Sequence, residues 1–257
     1  MDISNMNNIE SRVQSYWTKR AHNFNIVRKN ELNSSISERW REEIVHFLPE
    51  GKVLQILDVG TGTGYFAILL SQIGHQVTGI DLTDAMLKEA RDNAALYQVH
   101  PTFQQMDAQK LAFLDQSFDV VISRNLTWTL PDPEATYREW MRVLKKGGVL
   151  LNFDANWYAY LFDEDAQAAW DRDRRSSAER GVRDQNVEAE GEHFDVMEEI
   201  ARRVPLSKIA RPAWDLQQLA SLGMKAEADE TVWKRVWSEE ETISFASTPM
   251  FLVRGRK

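Results

Sequence analysis

Cysteine is absent from the chain, which excludes disulfides, thiolate metal sites and any mechanism built on a cysteine nucleophile. Long apolar runs are missing as well. No stretch approaches the roughly 18 residues that a membrane-spanning helix requires, so no membrane partner is expected. The opening residues Met1-Asp2-Ile3-Ser4-Asn5-Met6-Asn7-Asn8 lack the basic and apolar regions of a secretion signal, and a cytoplasmic location is expected. Positive charge is in deficit: 31 Lys and Arg stand against 39 Asp and Glu, a formal net charge of −8. No segment gathers the basic residues, so a phosphate backbone would be repelled and nucleic acid is not an expected partner. Histidine is sparse, with His22, His46, His75 and His100 scattered at no metal-ligand spacing, and no acidic segment has the spacing of a calcium loop. No metal site is expected.

What is present is the make-up of a soluble globular protein, 43% hydrophobic and 27% charged over 257 residues. The first fifty residues read as helical: Val13, Tyr16, Trp17 and Arg20 lie at helical spacing, Ser37 precedes a second helical segment through Ile44, and Pro49-Glu50-Gly51 is a stop. Val53 to Val59 is an apolar strand ending in a glycine-rich turn, and helical spacing resumes from Gly64 to Gly74. The unit repeats with a strand at Gln76 to Asp81 and a helix capped by Asp84. Further strands are expected at Phe103 to Asp107, Phe118 to Ser123 and, after a helix from Pro133 to Leu144 and a turn at Lys145 to Gly148, at Val149 to Asp154. Near-continuous apolar strands alternating with helices mean a parallel sheet covered on both faces. The rhythm breaks between about residues 155 and 212, where an aromatic start at Trp157, Tyr158, Tyr160 and Phe162 leads into a charged helical stretch from Asp163 to Arg180 and a loop bracketed by Gly181 and Gly191. It resumes with a helix at Leu216 to Gly223 and two expected edge strands, Lys225 to Trp237 and Pro249 to Arg254, able to pair antiparallel.

The chemistry concentrates in Leu57-Asp58-Val59-Gly60-Thr61-Gly62-Thr63-Gly64. Alternate glycines after a buried strand let the backbone approach a ligand, and the helix that follows aims free N–H groups at the same crevice. Gly62-Thr63-Gly64-Tyr65-Phe66-Ala67 also satisfies the GxGxxA form of a dinucleotide fingerprint, so the glycines alone do not choose between cofactors. Asp58 does better, because a carboxylate before the first glycine suits a cationic ligand rather than a pyrophosphate. Asp81, about 20 residues further on, stands where a carboxylate accepts ribose hydroxyls.

With these residues in place the chain resembles the class I S-adenosylmethionine-dependent methyltransferases, in their small-molecule branch. Asp58 to Gly64 matches the family's first motif and Gly79-Ile80-Asp81-Leu82 its second; Met106-Asp107-Ala108, Phe118 to Ser123 and Val143 to Gly148 resemble the signatures of the next three strands. The resemblance implies S-adenosylmethionine as cofactor. By it Gly60, Thr61, Gly62 and Gly64 pass the methionine part, Asp81 holds the ribose, Leu82 and Met86 pack the adenine, and Asp107 with Ala108 meets its amino edge. Arg124 and Asn125 then lie near the methionyl amine, while Tyr16 and Arg20, on a helix covering the cofactor, reach the methionyl carboxylate. Methyl transfer from a sulfonium is an in-line displacement that needs alignment and exclusion of water more than a fixed catalytic side chain, and no catalytic residue is assigned.

Trp128, Asp154, Asn156, Trp157 and Tyr158 follow the fourth and fifth strands and are the expected acceptor residues, with His193 in the insertion as a further one. Ser123-Arg124-Asn125-Leu126 lacks the Asn/Asp-Pro-Pro-aromatic tetrapeptide of amino-directed nucleic-acid methyltransferases, which with the acidic balance favours a small acceptor. The expected architecture is one doubly wound, mostly parallel seven-stranded α/β sheet of Rossmann-like methyltransferase type. Its parts are an N-terminal helical cover (1–50), a cofactor-binding core (51–154), a helical insertion acting as a lid (155–212) and a C-terminal helix with edge strands (213–257). The expected function is methylation of a small molecule; the alternatives are an NAD-dependent oxidoreductase, against which Asp58 counts, and a regulatory protein that binds S-adenosylmethionine without turnover.

Overall fold

The computed structural model describes residues 3–182 and 194–257. Two helices lead in, α1 (Ile3–Leu32) and α2 (Ser35–Val45). The core follows as β1 (Gln55–Val59), α3 (Tyr65–Gln72), β2 (Gln76–Asp81), α4 (Asp84–Leu96), β3 (Thr102–Gln105), β4 (Phe118–Arg124), α5 (Pro133–Val143) and β5 (Leu144–Asp154). After β5 come α6 (Glu164–Glu179) and α7 (Phe194–Ala201), then α8 (Ala213–Ser221), β6 (Lys225–Asp229), α9 (Trp233–Val236), α10 (Glu239–Ser244) and β7 (Phe251–Arg256).

The strands form one seven-stranded sheet in the order β3-β2-β1-β4-β5-β7-β6. The first five run parallel and β7 lies antiparallel between β5 and β6. The doubly wound, mostly parallel architecture read from the alternating pattern is therefore the observed one. Because the chain leaves β1 toward β2 on one side and later returns to β4 on the other, a crevice opens at the carboxyl ends of β1 and β4, the place where open α/β sheets bind ligands. Helices cover both faces. Trp40 of α2 is fully buried and meets Phe66 at 5.2 Å and Phe153 at 5.1 Å on one face, while Tyr137 and Trp140 of α5 pack against Leu57, Val121 and Leu150 on the other.

Several boundaries differ from the sequence reading, each for a local reason. Ser34, not Ser37, caps α2 by accepting from the Ile36 N–H at 3.2 Å. Thr83 occupies the cap position of α4, so Asp84 is its first helical residue, where a carboxylate still favours the helix dipole. β1 begins at Gln55 and β3 spans Thr102–Gln105. Lys145 to Gly148 is not a free turn: β5 starts at Leu144, and a register shift against β4, with Gly147 at φ +76°, lets the pairing continue past the glycines. The expected strand Lys225 to Trp237 is a short edge strand followed by α9, because Asp229 accepts from the Thr231 N–H at 2.7 Å and turns the chain. The antiparallel pairing of the last two strands is observed between β6 and β7. The helical stretch from Asp163 is observed as α6, capped by Asp163; Gly191 and His193 lie outside the described residues. Among the described residues no helix is long and apolar enough to cross a membrane.

The far end of the 155–212 segment is tied into the sheet by charge. The Arg211 side chain is fully buried and donates to Asp215 at 2.9 and 2.7 Å, to Asp154 at 2.8 Å and to Thr127 at 2.7 Å. Tyr137 donates to the same Asp215 carboxylate at 2.6 Å. Breaking such a pair from one side leaves an uncompensated buried charge. Asp215→Ala should therefore cost about 3–5 kcal/mol, seen in thermal denaturation as a fall of about 10 °C in Tm; a loss below about 1 kcal/mol would show that the network carries little stability.

Candidate cofactor and acceptor site

The turn after β1 is shaped by backbone conformation. Gly60 and Gly62 sit at φ +69° and +54°, in the left-handed region that L side chains rarely adopt. The turn is held by Thr61 N–H donating to the Ile80 carbonyl at 2.9 Å. Gly64 has a different duty: a Cβ there would lie 3.1 Å from Ala90 and from Phe103, so this third glycine lets α3 pack against α4 and β3 and does not line the cavity. That corrects its place among the expected cofactor residues.

Two carboxylates face this turn. Asp58 accepts from the Thr61 hydroxyl at 2.6 Å and the Ala67 N–H at 3.1 Å, and Asp81 from the Gly62 N–H at 3.0 Å and the Thr83 N–H at 2.9 Å. Burial pushes the Asp58 carboxyl up to about 7, against its Thr61 and Ala67 hydrogen bonds and with Asp81 adding to the rise. Asp81 is raised as well, again by burial, which outweighs its backbone hydrogen bonds. Among the described residues neither carboxylate has a Lys or Arg in ion-pair contact. Each Asp81 oxygen also keeps capacity for a further donor, since an ionised carboxylate offers about four acceptor sites.

A cavity of about 320 Å³ extends from this crevice. Its rim is drawn from α1, where Tyr16, Trp17 and Arg20 line it, and Gln14 donates to the Leu82 carbonyl at 2.9 Å, pinning the helix over the crevice. Arg20 donates to the Tyr16 hydroxyl at 2.6 Å, leaves its Nε without a partner and pairs with no described carboxylate. Leu82, Met86, Asp107, Ala108 and Asn125 also line the cavity, as do Asp58, Gly60, Thr61, Gly62 and Asp81. The cavity thus gathers every expected cofactor residue except Gly64. Asp107 has a local task too, accepting from the Gln109 N–H at 2.9 Å. Asn125, at φ +57°, leaves its side-chain oxygen unpartnered. Among the described residues no group is placed to hold a metal ion.

Of the expected acceptor residues, Trp128, Trp157 and Tyr158 line the same cavity, Asn156 instead donates to the Arg211 carbonyl at 2.9 Å, and His193 lies outside the described residues. Asp154 does not reach the cavity. It is fully buried, with both oxygens taken by Thr127, the Trp128 and Ala155 N–H groups, the Trp157 indole and Arg211. Its direct acceptor role is thereby corrected: the charge that was expected to face the ligand faces an arginine arriving from the other end of the insertion. Sequence reasoning missed the wall contributed by α10 and its approach, Trp237, Glu241, Ser244 and Phe245. A signal existed in Ser238-Glu239-Glu240-Glu241, whose Ser238 and Glu241 form a reciprocal capping box.

The sheet order, the crevice and its carboxylates define a class I methyltransferase fold. Residues 57–152 match the model of a methyltransferase domain family. It is 40% identical over 101 residues to a phosphatidylethanolamine N-methyltransferase of Cereibacter sphaeroides, covering 38% of this chain and 48% of that one. It is 30% identical over 151 residues to a demethylmenaquinone methyltransferase of Desulfitobacterium hafniense, covering 55% and 58%. The chain thus spans about half the length of these relatives. Its fold is shared with an S-adenosylmethionine dependent methyltransferase from Mesorhizobium loti at a TM-score of 0.55, with 22% identity and coverage of 84% and 96%.

The carboxylates fit a cofactor with a cationic group, and their titration gives a test. Below about pH 7 the unliganded protein holds a proton on Asp58 that a cationic ligand must expel. Affinity should therefore rise with pH through about 7 and level off above it. Calorimetry should find S-adenosylhomocysteine, through its ammonium group, bound about tenfold tighter at about pH 8 than at about pH 6, one pKa unit being a factor of ten; an affinity independent of pH would mean that Asp58 is not coupled to the ligand. The unliganded fold should behave oppositely, losing stability between about pH 4 and 7, because the folded state keeps a proton that the unfolded chain has released.

Proposed function

We propose that this protein transfers a methyl group from S-adenosylmethionine to a small-molecule acceptor. The observation that carries the reading is the pairing of opposite deficits in one cavity. Among the described residues, buried Asp58 and half-buried Asp81 stand beside the glycine turn without a paired cation, and Arg20 reaches in from α1 without a paired carboxylate. A ligand bearing a cation, a carboxylate and a ribose diol answers all three. When bound, S-adenosylmethionine supplies an electrophilic methyl group on a sulfonium leaving group.

The chain's own residues have correspondingly modest tasks. Asp81 holds the ribose, Arg20 and Tyr16 orient the carboxylate, and Leu82, Met86 and Ala108 sandwich the adenine. The aromatic residues after β4 and β5 align the acceptor and keep water from the reacting atoms. Burial holds the Tyr158 and Tyr160 hydroxyls protonated, so they serve as donors rather than bases. In this reading 155–212 is a lid over the strand ends within one methyltransferase domain, and the reaction is cytoplasmic. The acidic balance speaks against nucleic acid as the acceptor.

Calorimetry tests the cofactor. S-adenosylhomocysteine should bind in the micromolar range, about −8 kcal/mol, and Asp81→Ala should weaken it by about 1.5–3 kcal/mol, the worth of hydrogen bonds to a charged acceptor. Binding of NAD with no heat from S-adenosylhomocysteine would overturn the reading in favour of an oxidoreductase.

A further inference from the structure

The rest of the cavity bears on what the acceptor is, an inference that rests on the methyltransferase reading above. One wall is a row of rings. Trp128 meets Tyr158 at 4.7 Å, Tyr158 meets Tyr160 at 5.8 Å and Tyr160 meets Trp170 at 4.8 Å, with successive planes 34°, 36° and 20° apart. A second row comes from the other side of the chain, where Trp157 meets Phe245 edge-on at 5.5 Å and Phe245 lies 6.0 Å from Trp237. Both rows line the same cavity.

One ring, Trp157, and the backbone carrying another, Trp128, are anchored on Asp154. Asp154 accepts from the Trp157 indole N–H at 3.1 Å and from the Trp128 backbone N–H at 3.0 Å, and Arg211 holds Asp154 in turn at 2.8 Å. A wall fixed in this way costs little ordering on binding and suits a rigid occupant better than a flexible chain.

Charge narrows the class further. Apart from the crevice aspartates, Glu10, Arg20 and Asp107, the charged side chains lining the cavity are Arg28, Arg124 and Glu241. These are matched internally. Glu31 pairs with Arg28 and accepts from Arg124 at 2.8 Å, and Glu241 lies 3.8 Å from Arg124. Burial would raise the Glu31 carboxyl, yet Arg124 and Arg28 hold it below its usual range. An anionic acceptor group would lose hydration here with no unmatched cation to receive it once Arg20 is engaged, while the Glu10 and Asp107 carboxyls, without a cation among the described residues, share the Gln109 amide as donor, and burial raises Glu10 toward its neutral form. An uncharged ring exchanges water for aromatic contact at no such cost.

We propose that the acceptor is an uncharged, flat conjugated ring compound, and that Asp154 is the positioning residue that holds Trp128 and Trp157 against it. Burial keeps the Tyr158 hydroxyl protonated, so it can donate to an oxygen on such a ring.

The test titrates the protein, saturated with S-adenosylhomocysteine, with 2-naphthol, its saturated counterpart decahydro-2-naphthol, 2-naphthoate and choline. By calorimetry 2-naphthol should bind at least about tenfold tighter than each of the others. Trp157→Phe keeps a ring and deletes the N–H. It should weaken 2-naphthol about fivefold and leave S-adenosylhomocysteine within about twofold, with Asp154→Asn in the same direction. Equal binding of the flat and saturated alcohols, or a preference for naphthoate or choline, overturns the acceptor class. Undiminished 2-naphthol affinity in Trp157→Phe overturns the positioning role, whether or not Asp154→Asn folds. Absence of S-adenosylhomocysteine binding by the unaltered protein sinks the cofactor reading and this inference with it, whereas its binding without ring preference sinks this inference alone.

Discussion

Two carboxylates share the mouth of a parallel sheet, and most of the site's architecture follows from keeping them there. Ionised side chains are not buried without compensation, and the compensation at Asp58 and Asp81 is backbone: the N–H groups of Ala67, Gly62 and Thr83, with the Thr61 hydroxyl. The Gly62 and Ala67 N–H groups and the Thr61 hydroxyl are placed by the turn through left-handed glycines into α3, and the Thr83 N–H by the turn from β2 into α4. They do not suffice, since burial still raises both carboxyls and leaves Asp58 near neutrality. A crevice that favours a proton or a cation is chemically suited to a cationic ligand.

A second buried carboxylate performs a different task. Asp154 and Asp215 enclose Arg211 with no exposure at any of the three side chains. Replacing such a network by apolar residues is often neutral or favourable, so its stability contribution alone does not explain it. Its geometry does more, because the same Asp154 oxygens hold the Trp157 indole after β5 and the Trp128 backbone after β4. The same carboxylate therefore ties the far end of the 155–212 segment to the sheet and holds the aromatic wall at Trp157.

How much of this was legible in the sequence depended on the range of the interactions. β2 was read at its observed bounds, Gln76 to Asp81, because its β-branched Val77, Thr78 and Ile80 lie between the Gly74 break and the helix start at Asp84. The crevice residues were legible for a related reason: Asp58, Gly60 and Gly62 act through the backbone of a single turn. Asp154 was not, since its orientation is decided by Arg211, 57 residues away, and by an indole three residues on. The edge of the sheet was misread where Lys225 to Trp237 carried a strand-like pattern while the Asp229–Thr231 turn and the Ser238–Glu241 capping box marked its breaks. Those two local signals were available; the matching of Glu31 with Arg28 and Arg124, across α1 and β4, was visible only in three dimensions.

One cavity joins the strand-end crevice to the aromatic wall. The most direct measurement incubates the protein with S-adenosylmethionine labelled in its methyl group and a cell extract, then separates small molecules from macromolecules. The account predicts label in an extractable small molecule, released together with S-adenosylhomocysteine. Label confined to nucleic acid or protein, or no transfer by a protein that binds the cofactor, would contradict it.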